Sequence, residues 1–391
     1  MGPDTRQPGA PDPQRPLRRV LEMLDARLAV LTDGAELVAR IDAELGRFVR
    51  DDLPDATPFE VRFEPGPPRA AVHGETFVLD PGAAVDQAFG RLFRAALDET
   101  TRHLVLHAAA LERDGRALLV AGPSHSGKTT LALALMRAGF RLLSDDFTPI
   151  ERRRGVVVPF LKALGIRHGP GRRLAALAPH ADTADRVAVD AGALPDGSLA
   201  DAPAPPGAIV LCDGGETPPD PTAAYPFSVV TTGPVERLAT RLALPGVTVR
   251  GTAPGELSLM LDPLRIDAHA LDEVLESDPH VLEYGVAPRS LVRRAGDGRL
   301  LPLRGRDALL LLLRDLQNRR RGGALVASLG GDPARLALEL ARVIGRCPCA
   351  FLVAGEPEPT AERLRAWFDQ LPAGAAPSGR SGAAPGSTSS R

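Results

Sequence analysis

Between Pro16 and Arg50 the apolar positions Leu17, Val20, Leu21, Leu24 and Leu28 recur at helical spacing, and a second helix is predicted from Ala35 to Val49. The pattern then changes period. Phe59-Glu60-Val61-Arg62-Phe63 alternates and predicts a strand, Ala71 to Leu79 predicts another, and Pro-Gly and His-Gly pairs punctuate them. Helical spacing returns from Ala83 to Leu97. Residues 16–100 therefore read as a small α+β module in which no chemistry is evident.

From Leu104 to Glu112 an apolar run predicts one strand, and Arg113-Asp114-Gly115-Arg116 predicts a two-residue hairpin turn, since Asp-Gly tolerates positive φ. Pairing Arg113 with Arg116 makes paired positions sum to 229 and puts His107 opposite Gly122. Ala117-Leu118-Leu119-Val120 is the returning strand. It runs into Gly122-Pro123-Ser124-His125-Ser126-Gly127-Lys128-Thr129-Thr130, then into the helix-forming run Leu131 to Met136, which is capped by Gly139. G-x-x-x-x-G-K-T between a strand and a helix is the phosphate-binding loop pattern. Its glycines let backbone N–H groups at a helix N-terminus face negative charge. In that reading Lys128 reaches the outer phosphates and Thr129 offers its hydroxyl to Mg²⁺.

Phe140 to Ser144 predicts a strand parallel to the one before the loop, with Asp145-Asp146 at its C-terminal end, the end where open α/β sheets bind ligands. Adjacent residues on a strand face opposite ways, so one carboxylate would hold Mg²⁺ and the other would take a proton from an acceptor hydroxyl. A cationic loop spans Arg167 to Arg173, and Ala208-Ile209-Val210-Leu211-Cys212 predicts a buried strand. Further on, Ala324 to Leu329 reads as a strand before a helix Pro333 to Ile344, followed by a strand Cys349 to Val353 and a helix Thr360 to Leu371. The polar and Pro/Gly-rich ends, 1–15 and 372–391, are expected to be disordered.

Composition alters this picture at one point. Lysine and arginine together number 47, yet the sequence holds only two lysines, Lys128 and Lys162. A position that resists the drift to arginine needs a compact ammonium, which makes Lys162 a site candidate beside Lys128. The net charge of -2 implies no pull toward nucleic acid or membrane, and no apolar run is long enough for a span. The N-terminus lacks the layout of a signal peptide. Three cysteines, Cys212, Cys347 and Cys349, give no disulfide framework and suit a reducing cytoplasm. Cys347-Pro348-Cys349 has no companion cluster to complete a zinc site.

These residues resemble the HPr kinase/phosphorylase family, whose nucleotide-binding fold is shared with ATP-dependent phosphoenolpyruvate carboxykinase. That family has a histidine ahead of the loop strand, as His107 is here, and a strand ending in Asp-Asp, as Arg141-Leu142-Leu143-Ser144-Asp145-Asp146 does. Its signature E-I-R-G-L-G-I-I-D aligns without a gap with Phe160-Leu161-Lys162-Ala163-Leu164-Gly165-Ile166-Arg167-His168, with Lys162 on the arginine. The resemblance covers roughly residues 103–170 and, weakly, the strand at 208–212.

The resemblance implies a mixed α/β phosphoenolpyruvate carboxykinase/HPr kinase-like core over 101–245, between the N-terminal module and a C-terminal α/β region over 246–371. It implies ATP bound by the loop, Mg²⁺ held by Thr129 and Asp146, and Asp145 as general base oriented by His107. Lys128 and Lys162 would complete the catalytic set. Phe160 and His168 replace the signature's two acidic ends, so the reverse, phosphate-driven reaction is not expected. The family's R-P-G-R-N element has no counterpart, although a homo-oligomer remains compatible. The expected activity is a Mg-ATP-dependent kinase acting on a hydroxyl, foremost a serine of a small protein or peptide. The competing readings are a small-molecule kinase and a nucleotide sensor without catalysis. A closed pocket beside the acidic pair would favour a small molecule, and an open groove a peptide.

Overall fold

A computed structural model of the chain describes residues 16–64, 66–167, 181–182, 186–189, 191, 194–290, 298–320 and 322–372. It shows a mixed α/β protein with several sheets. The expectations for residues 1–15, for the tail beyond Pro372 and for the loop from His168 to Arg173 lie outside the described residues.

The helical spacing from Leu17 to Leu28 does not make a helix. Leu17–Met23 and Ala26–Thr32 are antiparallel strands, in register from Met23 opposite Ala26. Leu24, at φ +61°, and Asp25 form the turn between them. A polar anchor far along the chain holds that turn. The Asp25 carboxylate accepts from Thr101 N–H and hydroxyl and from Arg102 N–H, and meets His103 Nδ1 at 2.9 Å. Leu21, Met23, Ala26, Leu28 and Val30 instead pack against the helices Ala35–Leu45 and Ala84–Glu99 and against Phe59. The apolar stretch Ala71 to Leu79 likewise splits. Arg69–Val72 and Glu75–Val78 pair across His73 and Gly74, both at positive φ. The N-terminal module is thus a six-stranded sheet with two helices.

The central sheet has the order Arg141–Ser144, Ala108–Arg113, Arg116–Ala121, Pro206–Leu211, Cys349–Leu352, Leu300–Pro302. Strand residues alternate between two helical layers. Leu111, Leu118, Val120 and Val210 face the helices Lys128–Arg137 and Pro357–Gln370, while Ala110, Leu119, Ile209 and Phe351 face Gly305–Arg314, Ala324–Ser328 and Pro333–Ile344. Ala324–Ser328 is therefore a helix where the apolar run predicts a strand. Its run is short, and Leu325 and Val326 reach the core from one helical face.

The hairpin has the expected register, Ala108 opposite Ala121 through Arg113 opposite Arg116, with Asp114 and Gly115 at positive φ. Two details differ from the sequence reading. The run Leu104 to Glu112 breaks at His107, and His103–Leu106 joins a separate small sheet with Thr148–Glu151 and Val156–Val157. In addition, Arg141–Ser144 does not adjoin the loop strand. It pairs antiparallel with Ala108–Arg113, which lies between the two and leaves them parallel to each other.

After Leu211 the chain leaves this sheet and returns to it at Leu300. In between, four strands from Tyr225–Thr231 to Val281–Val286 and the helices Val235–Arg241 and Ala268–Glu276 surround their own core of Phe227, Val229, Leu238 and Leu259. The boundary drawn at 245 falls inside this module. Among the described residues, no helix is long and apolar enough to cross a membrane.

Candidate functional site

The glycine-rich loop begins where the buried strand Arg116–Ala121 runs out beside its parallel neighbour. Cys212 N–H donates to Ala121 O at 2.9 Å, which brings the next backbone so close that a Cβ on Gly122 would sit 1.9 Å from Cys212 O. Only glycine fits. Gly127, at φ +94°, ends the loop and starts the helix Lys128–Arg137. Ser126 N–H donates to Pro123 O at 3.2 Å, and Ser124 and the exposed His125 lie at the apex. On the phosphate-loop reading of the sequence, Gly122→Ala is expected to displace the loop against Cys212 and abolish nucleotide binding while the rest of the fold persists. Calorimetric titration with Mg-ATP, alongside far-ultraviolet circular dichroism, checks this.

Lys128 folds back over the loop. The residue is 4% exposed, and its ammonium donates to Pro123 O at 3.0 Å. One residue on, the Thr129 hydroxyl donates to both oxygens of Asp145, at 3.2 and 3.1 Å. Thr130, at the end of the motif, is half-buried on the first helical turn. The structure thus sets the loop threonine against Asp145 rather than Asp146.

The acidic turn is held from beneath and strained above. Ser144 donates to the Thr148 hydroxyl at 2.8 Å, and that hydroxyl donates to Ala108 O at 2.7 Å, all within the core. Phe147 N–H closes on Asp145 O at 2.8 Å, forcing Asp146 to φ +65°, an uncommon conformation for a residue with a side chain. Asp145 is buried, while the Asp146 side chain is 36% exposed and meets Lys162 Nζ at 3.3 Å. Burial and the neighbouring Asp146 carboxylate push the Asp145 carboxyl well above the ordinary range. For Asp146 burial acts the same way, but Lys162, Lys128 and His107 outweigh it and hold the carboxyl low. The two carboxylates therefore carry one firm negative charge and one readily protonated partner.

Lys162 reaches the site because its segment is tied down on both sides. Phe160 N–H donates to Leu143 O at 2.8 Å, and Ala163 N–H donates to Glu44 O at 3.1 Å. Phe160 itself turns away from the site and stacks on Phe48, with ring centroids 4.7 Å apart, in the core of the N-terminal module.

His107, at the break between strands, completes the group. Its Nδ1 lies 3.4 Å from Asp315 Oδ2 and its N–H donates to Asp315 O at 3.4 Å. Its field acts on Asp146. Asp315 was not visible as a site residue in the sequence. It follows the helix Gly305–Arg314 with no motif around it, and only the fold brings it to His107. Cys212 is the other residue missed. It is buried, with Sγ 3.6 Å from Ser126 Oγ, and its carbonyl shapes the loop.

His107, Lys128, Thr129, Asp145, Asp146 and Lys162 thus meet at one end of the central sheet. The described residues contain no group of three or more His, Cys, Asp or Glu arranged to hold a metal. A magnesium ion carried on phosphate oxygens needs only one or two protein oxygens, and the Thr129–Asp145 pair supplies such a donor set. Scanned against protein-family models the chain matches none, and it has no match among curated proteins.

Proposed function

We propose that this protein is a Mg-ATP-dependent phosphotransferase related to HPr kinase, with the phosphoenolpyruvate carboxykinase-like nucleotide fold, and that it transfers the terminal phosphoryl group of ATP to a hydroxyl. The convergence of the loop lysine, the Thr129–Asp145 pair and the Asp146–Lys162 pair at one sheet end carries this reading. The loop amides and Lys128 bind the phosphates. Thr129 and Asp145 would hold Mg²⁺, which supplies charge neutralisation between the outer phosphates. Asp146, the more exposed carboxylate, takes the acceptor's proton, and Lys162 keeps it ionised until it does so. This exchanges the roles that the family resemblance implies for the two aspartates. It rests on the hydrogen bonds from Thr129, which reach Asp145 alone.

A sensor without catalysis needs a loop but has no use for a strained carboxylate beside a lysine, so the site favours transfer. Incubation with Mg-ATP labelled on the terminal phosphate should give Mg-dependent labelling of an acceptor in a cell extract. Absence of Mg-ATP binding by the intact chain would overturn the reading.

Asp315 acts through His107 as a positioning residue. Asp315→Ala is expected to lower kcat roughly tenfold, about 1.4 kcal/mol for a partly buried ion pair, with KM for ATP unchanged. A parallel rise in KM or a lower Tm would instead indicate a structural role. Steady-state kinetics and a melting curve decide between these.

A further inference from the structure

A cavity of about 290 Å³ opens between the C-terminal ends of the central strands and the module of residues 225–286. Gly122 and Pro123 form part of its wall, as do His107 and Asp315. We propose that this cavity holds the phosphoryl acceptor, and that the acceptor is a small neutral alcohol with a compact apolar body. The proposal rests on the phosphotransferase reading above and deepens it.

Position is the first support. In a phosphate loop the lysine marks the outer-phosphate end. Here the Lys128 ammonium lies on Pro123 O, and Pro123 is a wall of the cavity. The cavity therefore adjoins the outer-phosphate end of the loop, where an acceptor oxygen must approach. The same wall carries His107, whose field reaches Asp146.

The chemistry of the walls is the second support. Leu106, Leu211, Leu312, Tyr225, Val286 and Phe351 make them mostly apolar. The charged residues among them already have partners. Arg289 is held by both oxygens of Asp213, at 2.7 and 3.0 Å. Arg314 donates to Pro221 O and lies 4.4 Å over the Tyr225 ring. Asp220 accepts from Thr222 N–H and hydroxyl, and its charge and that of Arg314 act on each other, while Asp315 faces His107. Among the described residues lining the cavity, no charged side chain remains to neutralise an anionic or cationic acceptor, and burying one there unpaired would be costly. An apolar body with a single hydroxyl fits. The volume is at the lower end for ligand pockets, and it suits a compact molecule better than a stretch of peptide.

The transfer balances within this arrangement. The acceptor oxygen forms a bond to the terminal phosphorus as the bond from that phosphorus to the bridging oxygen breaks. The nucleoside diphosphate leaves, and the hydroxyl proton passes to the Asp146 carboxylate, which is not itself in the cavity wall but lies within the field of His107, which is.

Benzyl alcohol, cyclohexanol and isoamyl alcohol are suitable probes, with glycerol as the polar control. Binding to the full chain is followed by saturation-transfer NMR, and phosphate monoester formation with Mg-ATP by phosphorus NMR. At least one apolar alcohol should bind and be phosphorylated, and glycerol should not. Ala287→Trp, which fills the cavity from the 225–286 side, should lower both signals about tenfold or more while Mg-ATP binding is unchanged. Leu311→Phe, on the facing helix, is a second filling variant in case the first misfolds. If the wild type binds Mg-ATP but none of the three alcohols, or if filling the cavity leaves their phosphorylation intact, this proposal fails and the kinase reading stands. It fails in the same way if a serine peptide is phosphorylated equally by wild type and filled variant while no alcohol binds. If the wild type does not bind Mg-ATP, the underlying reading fails.

Discussion

Asp146→Asn is expected to cut phosphoryl transfer by roughly 10²–10⁴, the usual worth of a general base, and to leave Mg-ATP affinity nearly unchanged. Asparagine is close in shape and, like aspartate, tolerates the positive φ that the turn imposes at this position, so the substitution removes a proton acceptor without rebuilding the loop. Asp145→Asn should fail differently. Its carboxylate takes both hydrogen bonds from Thr129, so its loss should weaken Mg-dependent nucleotide binding, with excess Mg²⁺ restoring part of the rate. Adding His107→Ala to Asp146→Asn should cost little beyond the single change, because groups acting as a unit are not additive. Calorimetric titration of Mg-ATP and single-turnover rates for the three variants separate these outcomes. The reverse pattern would make Asp145 the base and Asp146 the metal ligand. If neither aspartate matters, the pair is only an acidic turn and the proposed chemistry is wrong.

The parts of this site legible in the sequence are those whose physics is local. Asp114-Gly115 fixes a hairpin because both residues accept positive φ, and the register then follows by counting to Ala108 opposite Ala121. Lys162 was readable as a survivor in an arginine-rich chain, and it meets Asp146. The reading failed where distant contacts decide. Leu17 to Leu28 carry a helical period, but Asp25 is bound by Thr101, Arg102 and His103, and the hairpin prevails. Adjacency of Asp145 and Asp146 shows that the two face apart, but not which faces Thr129. A turn closed by Phe147 N–H, with Asp146 at φ +65°, determines that, and no residue type encodes it. Asp315 is beyond sequence reading for the same reason, as the fold alone joins it to His107.

Lys128→Ala is expected to have the largest effect of any single substitution, removing measurable ATP binding and lowering transfer by about 10³ or more, the scale on which a cation at the transferred phosphoryl group acts. The residue is buried and its ammonium is fixed on Pro123 O at 3.0 Å, so its charge is already in place before substrate arrives. Lys128→Arg should rescue little. A planar guanidinium is wider than the ammonium the buried loop encloses, and retention of lysine here in a chain with one other lysine agrees with that demand. The fold should survive both changes, since the helix Lys128–Arg137 is held by Leu131, Leu133 and Leu135 in the core rather than by the lysine. Without the ammonium, the two aspartates lose one of their two lysine partners, and the Asp145 carboxyl is pushed up further. Titration calorimetry with Mg-ATP and a melting curve test this together. Wild-type nucleotide affinity in a folded Lys128→Ala variant would mean that the loop does not bind phosphate, whatever its pattern.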